Sequence, residues 1–381
     1  MSQSYNILAN SPSATDAITP DVTTTGKPHY EVLDGLRGTA AVLVVLFHIM
    51  GMTANWSDKG QLVHHGHLAV DFFFTLSGFV IAYAYGDRWG KMSLKQFFLT
   101  RLVRLHPLVL LGAVLGVLSF VFDPFAGATQ SVIPLRTVAI DFVLIAFLMP
   151  HPPLPNRWTD THSLNSPAWS LLQEYIGNIA YALVLRRLKA RWLFAILIVT
   201  GAGLIWCAAK NNSMDMGSDF GSYWRGMLRM AFSFTLGLWL YRVHDRFPKV
   251  RPGWLALSLV LIIAMCVPRI APGIAHANGL LEVAMVMLVF PLVVLLGAHS
   301  QISHIEMAAC KIAGHLSYPL YILHYPFLLI YMNYVNFRHP SAHDRLIWAS
   351  VAFIVVVSFA WAAFKLYDEP IRKMLKPLTQ R

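Results

Sequence analysis

The chain has 381 residues, 56% of them hydrophobic and only 13% charged, with a mean hydropathy of +0.54 and a net charge of +11. Soluble domains carry about one quarter charged residues, so this composition excludes a water-soluble globular protein and points to a polytopic membrane protein. The positive charge calls for no nucleic acid partner, because Lys and Arg collect in the cytoplasmic loops of membrane proteins.

Residues 1–29 are rich in Ser and Thr and hold no apolar core of a signal peptide, which predicts a disordered cytoplasmic tail. Eleven apolar segments follow, near 36–54, 68–86, 106–122, 135–150, 168–187, 192–209, 226–242, 253–270, 279–298, 312–334 and 346–366. Basic residues mark alternate loops as cytoplasmic: Arg88, Lys91 and Lys95; Arg186, Arg187 and Lys189; Arg242, Arg246, Lys249 and Arg251; and a tail with Arg372, Lys373 and Lys376. Two cytoplasmic loops must be separated by an even number of crossings, yet three apolar segments lie between 105 and 186. The weakest is 135–150, which is short, contains Asp141 and runs into "MPHPPLP", so it is expected to be re-entrant or interfacial. The expectation is an all-α bundle of about ten crossings with both termini cytoplasmic. Arg225 and Arg229, on the predicted outer side, fit it worst. Cys207, Cys266 and Cys310 lie in or beside apolar runs and are expected to be free thiols.

Several spans carry groups that are costly in lipid. In "LDGLRGTAAVLVVLFHI", Arg37 and His48 are eleven positions apart, about 16 Å along a helix and on nearly one face, with Arg37 at the cytoplasmic edge and His48 at depth. "HLAVDFFFTLSGF" brings Asp71 and Ser77, with Gly78 allowing close helix approach. "RLVRLHP" sets Arg101 and Arg104 three apart, the geometry of a phosphate clamp or simply of cytoplasmic charge. In "NSPAWSLLQEY", Asn165 or Ser166 is a candidate cap, and Ser170 and Glu174 share a face behind Trp169. "HLSYPLYILHYP" aligns Ser317, Tyr321 and His324, with Tyr318 beside them. Adjacent histidines in "HHGH" lack the spacing of a closed metal site, so no metal is expected. These residues suit a membrane transferase or a proton-coupled transporter or flippase equally well.

Taken in order from Leu33 to Pro370, "LDGLRG…H", "VDFFFTLSGF", "RLVRLHP", "WSLLQE" and "LSYPLYILHYP" resemble the motifs of the acyltransferase-3 family of membrane O-acyltransferases. The resemblance implies a membrane domain over residues 30–370 followed by a basic tail over 371–381, in the inner membrane of the cell. It further implies that an acyl group, typically acetyl from acetyl-CoA used as co-substrate, moves to a hydroxyl of a cell-surface, secreted or lipid-linked glycan, with a lipid or secondary metabolite as an alternative acceptor. On that basis Arg37, Arg101 and Arg104 are expected to bind the donor. His48 is expected to act as general base, oriented or stabilised by Asp71 or Glu174. Ser77, Trp169, Ser170, Tyr318, Tyr321 and His324 are the candidates for acceptor or oxyanion contacts.

Overall fold

The computed structural model describes residues 29–127, 132–270 and 274–379. Apart from His29, the tail expected over 1–29 lies outside these residues. Eleven helices occupy the eleven apolar segments: α1 (Glu31–Thr53), α2 (Ala69–Tyr85), α3 (Leu94–Val121), α4 (Leu135–Ala146), α5 (Ala168–Leu183), α6 (Ala190–Asn211), α7 (Tyr223–Val243), α8 (Trp254–Cys266), α9 (Ala277–His299), α10 (His304–Arg338) and α11 (Ala342–Ala363). Among the described residues there is no strand, only an isolated bridge between Asp160 and Asp219.

Local chemistry sets the helix ends. α3 and α10 open on reciprocal caps: the Ser93 hydroxyl accepts the Gln96 N–H while the Gln96 side chain accepts the Ser93 N–H, and Ser303 and Glu306 do the same. α8 stops at Val267 because a residue before proline, here Pro268, is pushed out of the helical region. It has only 13 residues, shorter than the 253–270 segment suggested. α4 has 12, about 18 Å, too short for a hydrocarbon core of about 30 Å.

Among the described residues, six helical stretches are long and apolar enough to cross a membrane: Glu31–Thr53, Gly66–Tyr85, Leu94–Val121, Ala190–Asn211, Ala277–His299 and Ala342–Thr379. Besides the short α4 and α8, α5, α7 and α10 are absent from that set, and these last three carry Glu174, Arg229 and His324. Side chains such as Leu346, Trp348 and Ile354 of α11 stay exposed, an apolar surface suited to lipid. The protein is therefore a multi-pass membrane protein.

The bundle centres on α1, which packs most extensively on α10, while α2 packs on α7. The second contact needs Gly78 and Gly237: a Cβ at Gly78 would collide with the Phe234 carbonyl, and one at Gly237 with that of Thr75. Proline chemistry joins α10 to the segment before α5. Pro326 has no N–H to offer the Ile322 carbonyl, and the Asn165 side-chain amide donates to it instead at 2.8 Å. Asn165 is thus no helix cap, and α5 starts without a side-chain cap.

Candidate functional site

Two chambers lie inside the bundle. The inner one, about 320 Å³, is bounded by the start of α1, by α2, by the starts of α3 and α5 and by the middle of α10. The outer one, about 250 Å³, lies beyond His48, under the loops after α1 and before α5. Val70 and Tyr321 line both. At this septum Ser170 and Tyr321 join hydroxyls at 2.6 Å, and Phe73 stacks edge-on against the Tyr321 ring.

Arginine dominates the inner chamber. Arg37, Arg101, Arg104 and Arg372 line it, against Asp34, Glu174 and Asp368. Arg37 pairs with Asp34, and Arg372 with Asp368. Arg101 binds Glu174 at 2.8 Å, and Ser77 donates to the same carboxylate oxygen at 2.7 Å. Arg104 is exposed and, among the described residues, within salt-bridge distance of no carboxylate. The chamber is left with one guanidinium in excess, a setting for an anion. Tyr318 also lines it, its hydroxyl spent on the Leu105 carbonyl at 2.6 Å.

In the outer chamber His48 Nδ1 lies 3.1 Å from His324 Nε2, and His324 Nδ1 faces the carbonyls of Leu320 at 3.0 Å and Tyr321 at 2.8 Å. Carbonyls only accept, so His324 Nδ1 carries the hydrogen and its Nε2 holds a lone pair. The proton between the two rings therefore belongs to His48 Nδ1. This leaves His48 Nε2 as a free lone pair in a residue that is partly exposed and lines the chamber.

Neither carboxylate expected to orient His48 does so. Asp71, fully buried, pairs with Arg229 of α7, whose Nη2 is 2.6 Å and Nε 3.2–3.3 Å from its oxygens. Two further guanidinium hydrogens reach the carbonyls of Met216 at 2.7 Å and His67 at 2.9 Å. The reason is register: Asp71 sits in the first turn of α2, against α7, while Glu174 is committed to Arg101 in the other chamber. The same pair accounts for Arg229, the charge that fitted the crossing pattern worst; it is a buried partner of Asp71. The "HHGH" histidines turn to another carboxylate, with His65 at 2.9 Å and His67 at 3.3 Å from Glu282 of α9.

Of the sequence candidates, His48, Trp169 and Tyr321 line the outer chamber, and His324 contacts His48. Arg37, Arg101, Arg104, Ser77, Glu174, Ser170, Tyr318 and Tyr321 line the inner chamber. Sequence reasoning missed Trp56, Trp158, Asp160 and Tyr325, which line the outer chamber from loops or, for Tyr325, from the middle of α10. Asp160 accepts from the Tyr325 hydroxyl at 3.0 Å. Burial pushes its carboxyl up to about 6, against the pull of hydrogen bonds from Ser166 and Tyr325.

A family model described as an acyltransferase domain matches residues 30–365. The peptidoglycan O-acetyltransferase OatA of Listeria monocytogenes is 26% identical over 372 residues, which is 90% of this chain and 55% of the relative. Protein 2 in the picA locus of Rhizobium radiobacter is 32% identical over 186 residues, 47% of this chain and 94% of the relative. The acyltransferase MdmB of Streptomyces mycarofaciens is 29% identical over 187 residues, 46% of this chain and 42% of the relative. The chain thus spans about half the length of two of these relatives. No solved structure matches it significantly.

Proposed function

Because the chain belongs to the acyltransferase-3 family and is a membrane acyltransferase, we propose that it moves an acyl group, acetyl in the simplest case, from cytoplasmic acyl-CoA to a hydroxyl of a glycan outside the inner membrane. In this reading the chain crosses the membrane about ten times with both termini in the cytoplasm. The basic loops then share the side of the inner chamber, where coenzyme A is found.

One observation carries the proposal: an arginine-rich chamber and a histidine-based chamber meet at a common septum, Tyr321 with Val70. Arg104, with Arg101 and Arg37 beside it, supplies the charge for the donor's phosphates. The thioester end then reaches toward Tyr321 and Ser170, whose hydroxyls can donate to the oxygen that becomes negative as the carbonyl is attacked. On the outer side His48 Nε2 takes the proton from the acceptor hydroxyl. The hydroxyl oxygen bonds to the acyl carbon, the carbon–sulfur bond breaks, and the proton on His48 passes to the departing thiolate. An ester and free coenzyme A result. His324 keeps His48 in the one tautomer that presents a lone pair to the chamber.

The test uses purified full-length protein in nanodiscs with radiolabelled acetyl-CoA and a glycan acceptor. Label should pass to the glycan as an alkali-labile ester, and His48→Ala, inserted at wild-type abundance, should lose about 10²–10⁴-fold in rate. Undiminished transfer by His48→Ala rules the mechanism out.

A further inference from the structure

Two tryptophans at the mouth of the outer chamber hold a backbone conformation that bulky residues rarely adopt. Trp56 has φ of 58° and Trp158 φ of 52°. Both are 40% exposed, and both line the chamber above His48. Left-handed backbone at a bulky side chain persists only where surrounding structure enforces it, and such outliers gather at ligand clamps.

The enforcement is visible on both sides. The Trp56 N–H donates to the Gly51 carbonyl at 2.7 Å, and its ring lies so close over Gly51 that a Cβ there would collide. The Trp158 loop is tied down by the Asn156 side chain on the Ala126 carbonyl at 2.9 Å and by the bridge from Asp160 to Asp219. So held, the two rings meet at 5.9 Å between centroids and at 73°. Trp56 stands 6.2 Å from the His48 ring and Trp158 stands 6.4 Å from that of Tyr325. Tryptophans that merely anchor a protein at the membrane interface face lipid, whereas these face each other and the base.

The geometry points to a clamp for a neutral sugar ring, in which the edge-to-face pair Trp56 and Trp158 forms one continuous aromatic wall against a C–H face of the sugar and holds one ring hydroxyl over His48. It rests on the glycan-acceptor reading above and names the part of the chamber that would hold the sugar. Aromatic faces are negative, and the slightly positive C–H faces of a pyranose complement them. At about 250 Å³ the chamber sits just below the range of about 300–1,000 Å³ typical of drug-sized ligands, the size class of a single ring. Charge narrows the class further. Arg229 is spent on Asp71, so the acidic groups Asp160 and Asp215 set the polarity of the lining and disfavour an anionic sugar.

Binding is measured directly, so that it does not depend on turnover. The full-length protein in nanodiscs is titrated calorimetrically with a neutral probe, chitotetraose, and an anionic one, tetragalacturonate. The expected result is saturable binding of chitotetraose, weakened at least tenfold by Trp56→Ala and by Trp158→Ala and kept within about threefold by the phenylalanine variants. Tetragalacturonate should bind at least tenfold more weakly. Undiminished affinity in the alanine variants overturns the clamp, as do losses that phenylalanine fails to restore, absence of wild-type binding, or equal affinity for the two probes. If chitotetraose binds with this tryptophan dependence but no glycan accepts label from acetyl-CoA, the clamp stands and the transferase reading falls. If label reaches glycan while the alanine variants bind chitotetraose unchanged, the reverse holds.

Discussion

Replacing His324 with Phe keeps a ring of similar shape between Tyr321 and Tyr325 and removes the nitrogen that accepts the His48 Nδ1–H. The Leu320 and Tyr321 carbonyls that His324 now holds belong to α10, where the helix's own N–H groups also serve carbonyls, so the variant leaves no charge buried. What is lost is one hydrogen bond to His48, the contact that the proposed mechanism uses to hold its tautomer. A net hydrogen bond is worth about 1 kcal/mol, which corresponds to about a fivefold loss in rate. Turnover of the nanodisc enzyme with labelled acetyl-CoA and a saturating glycan acceptor should fall by about that factor. The KM for acetyl-CoA should stay put, because the proposed donor site lies in the other chamber. Two results refute the reasoning. An unchanged kcat means that the contact with His324 does not set the state of His48. A loss as deep as that of His48→Ala means that His324 itself meets the substrate.

Asp71→Ala strands Arg229 in the interior, and breaking a buried ion pair costs about 3–5 kcal/mol; thermal unfolding in detergent should drop sharply. The double variant Asp71→Leu with Arg229→Met should recover most of the loss, since it removes both charges together. Arg104→Gln should raise the KM for acetyl-CoA about tenfold or more with kcat nearly intact, and kinetics over a donor series lacking the 3′-phosphate will show whether that group is the one bound. Asp160 gives a pH dependence of stability. Its carboxyl holds the proton more tightly in the folded protein, up to about 6, than the 3.8 of an ordinary Asp, so the fold loses stability as pH rises from about 4 to about 6 and stays at the lower level above. That shift is worth about 3 kcal/mol, and Asp160→Asn should flatten the profile; a melting temperature that falls equally over this range in wild type and variant contradicts the assignment.

Helix positions were legible because apolar periodicity and length are local properties, and all eleven segments became helices. Several polar residues that line or adjoin the two chambers were legible for a related reason: Arg37, His48, Glu174 and His324 are expensive in lipid, so each stood out against its surroundings. Their pairing was not legible. Asp71 is near His48 in sequence, yet its partner Arg229 comes 158 positions later, and no local pattern records that α2 and α7 lie in contact through Gly78 and Gly237. Arg229 was visible only as a charge on the wrong side of the membrane. Trp56 and Trp158 left no trace at all, because a tryptophan in a polar loop is unexceptional until its backbone angle and its neighbour across the chamber are known. The short α8 was readable in hindsight from Pro268, whose effect on the preceding residue is local and predictable.

The septum has a consequence beyond catalysis. A membrane held at 100 mV places about 2.3 kcal/mol on each elementary charge that crosses it. An enzyme that took its two substrates from opposite sides through one continuous watery passage would let protons fall through and drain that voltage. Here the two cavities meet only at Tyr321 and its neighbours, closed by the hydroxyl pair with Ser170 at 2.6 Å and backed by the Phe73 ring. The wall between them is one side chain thick, so under the proposed reaction only the Tyr321 side chain need shift for the acyl carbon and the acceptor oxygen to meet. Opening that wall, by trimming Tyr321 to a small residue, is expected to let protons through, which a pH-sensitive dye inside proteoliposomes reports.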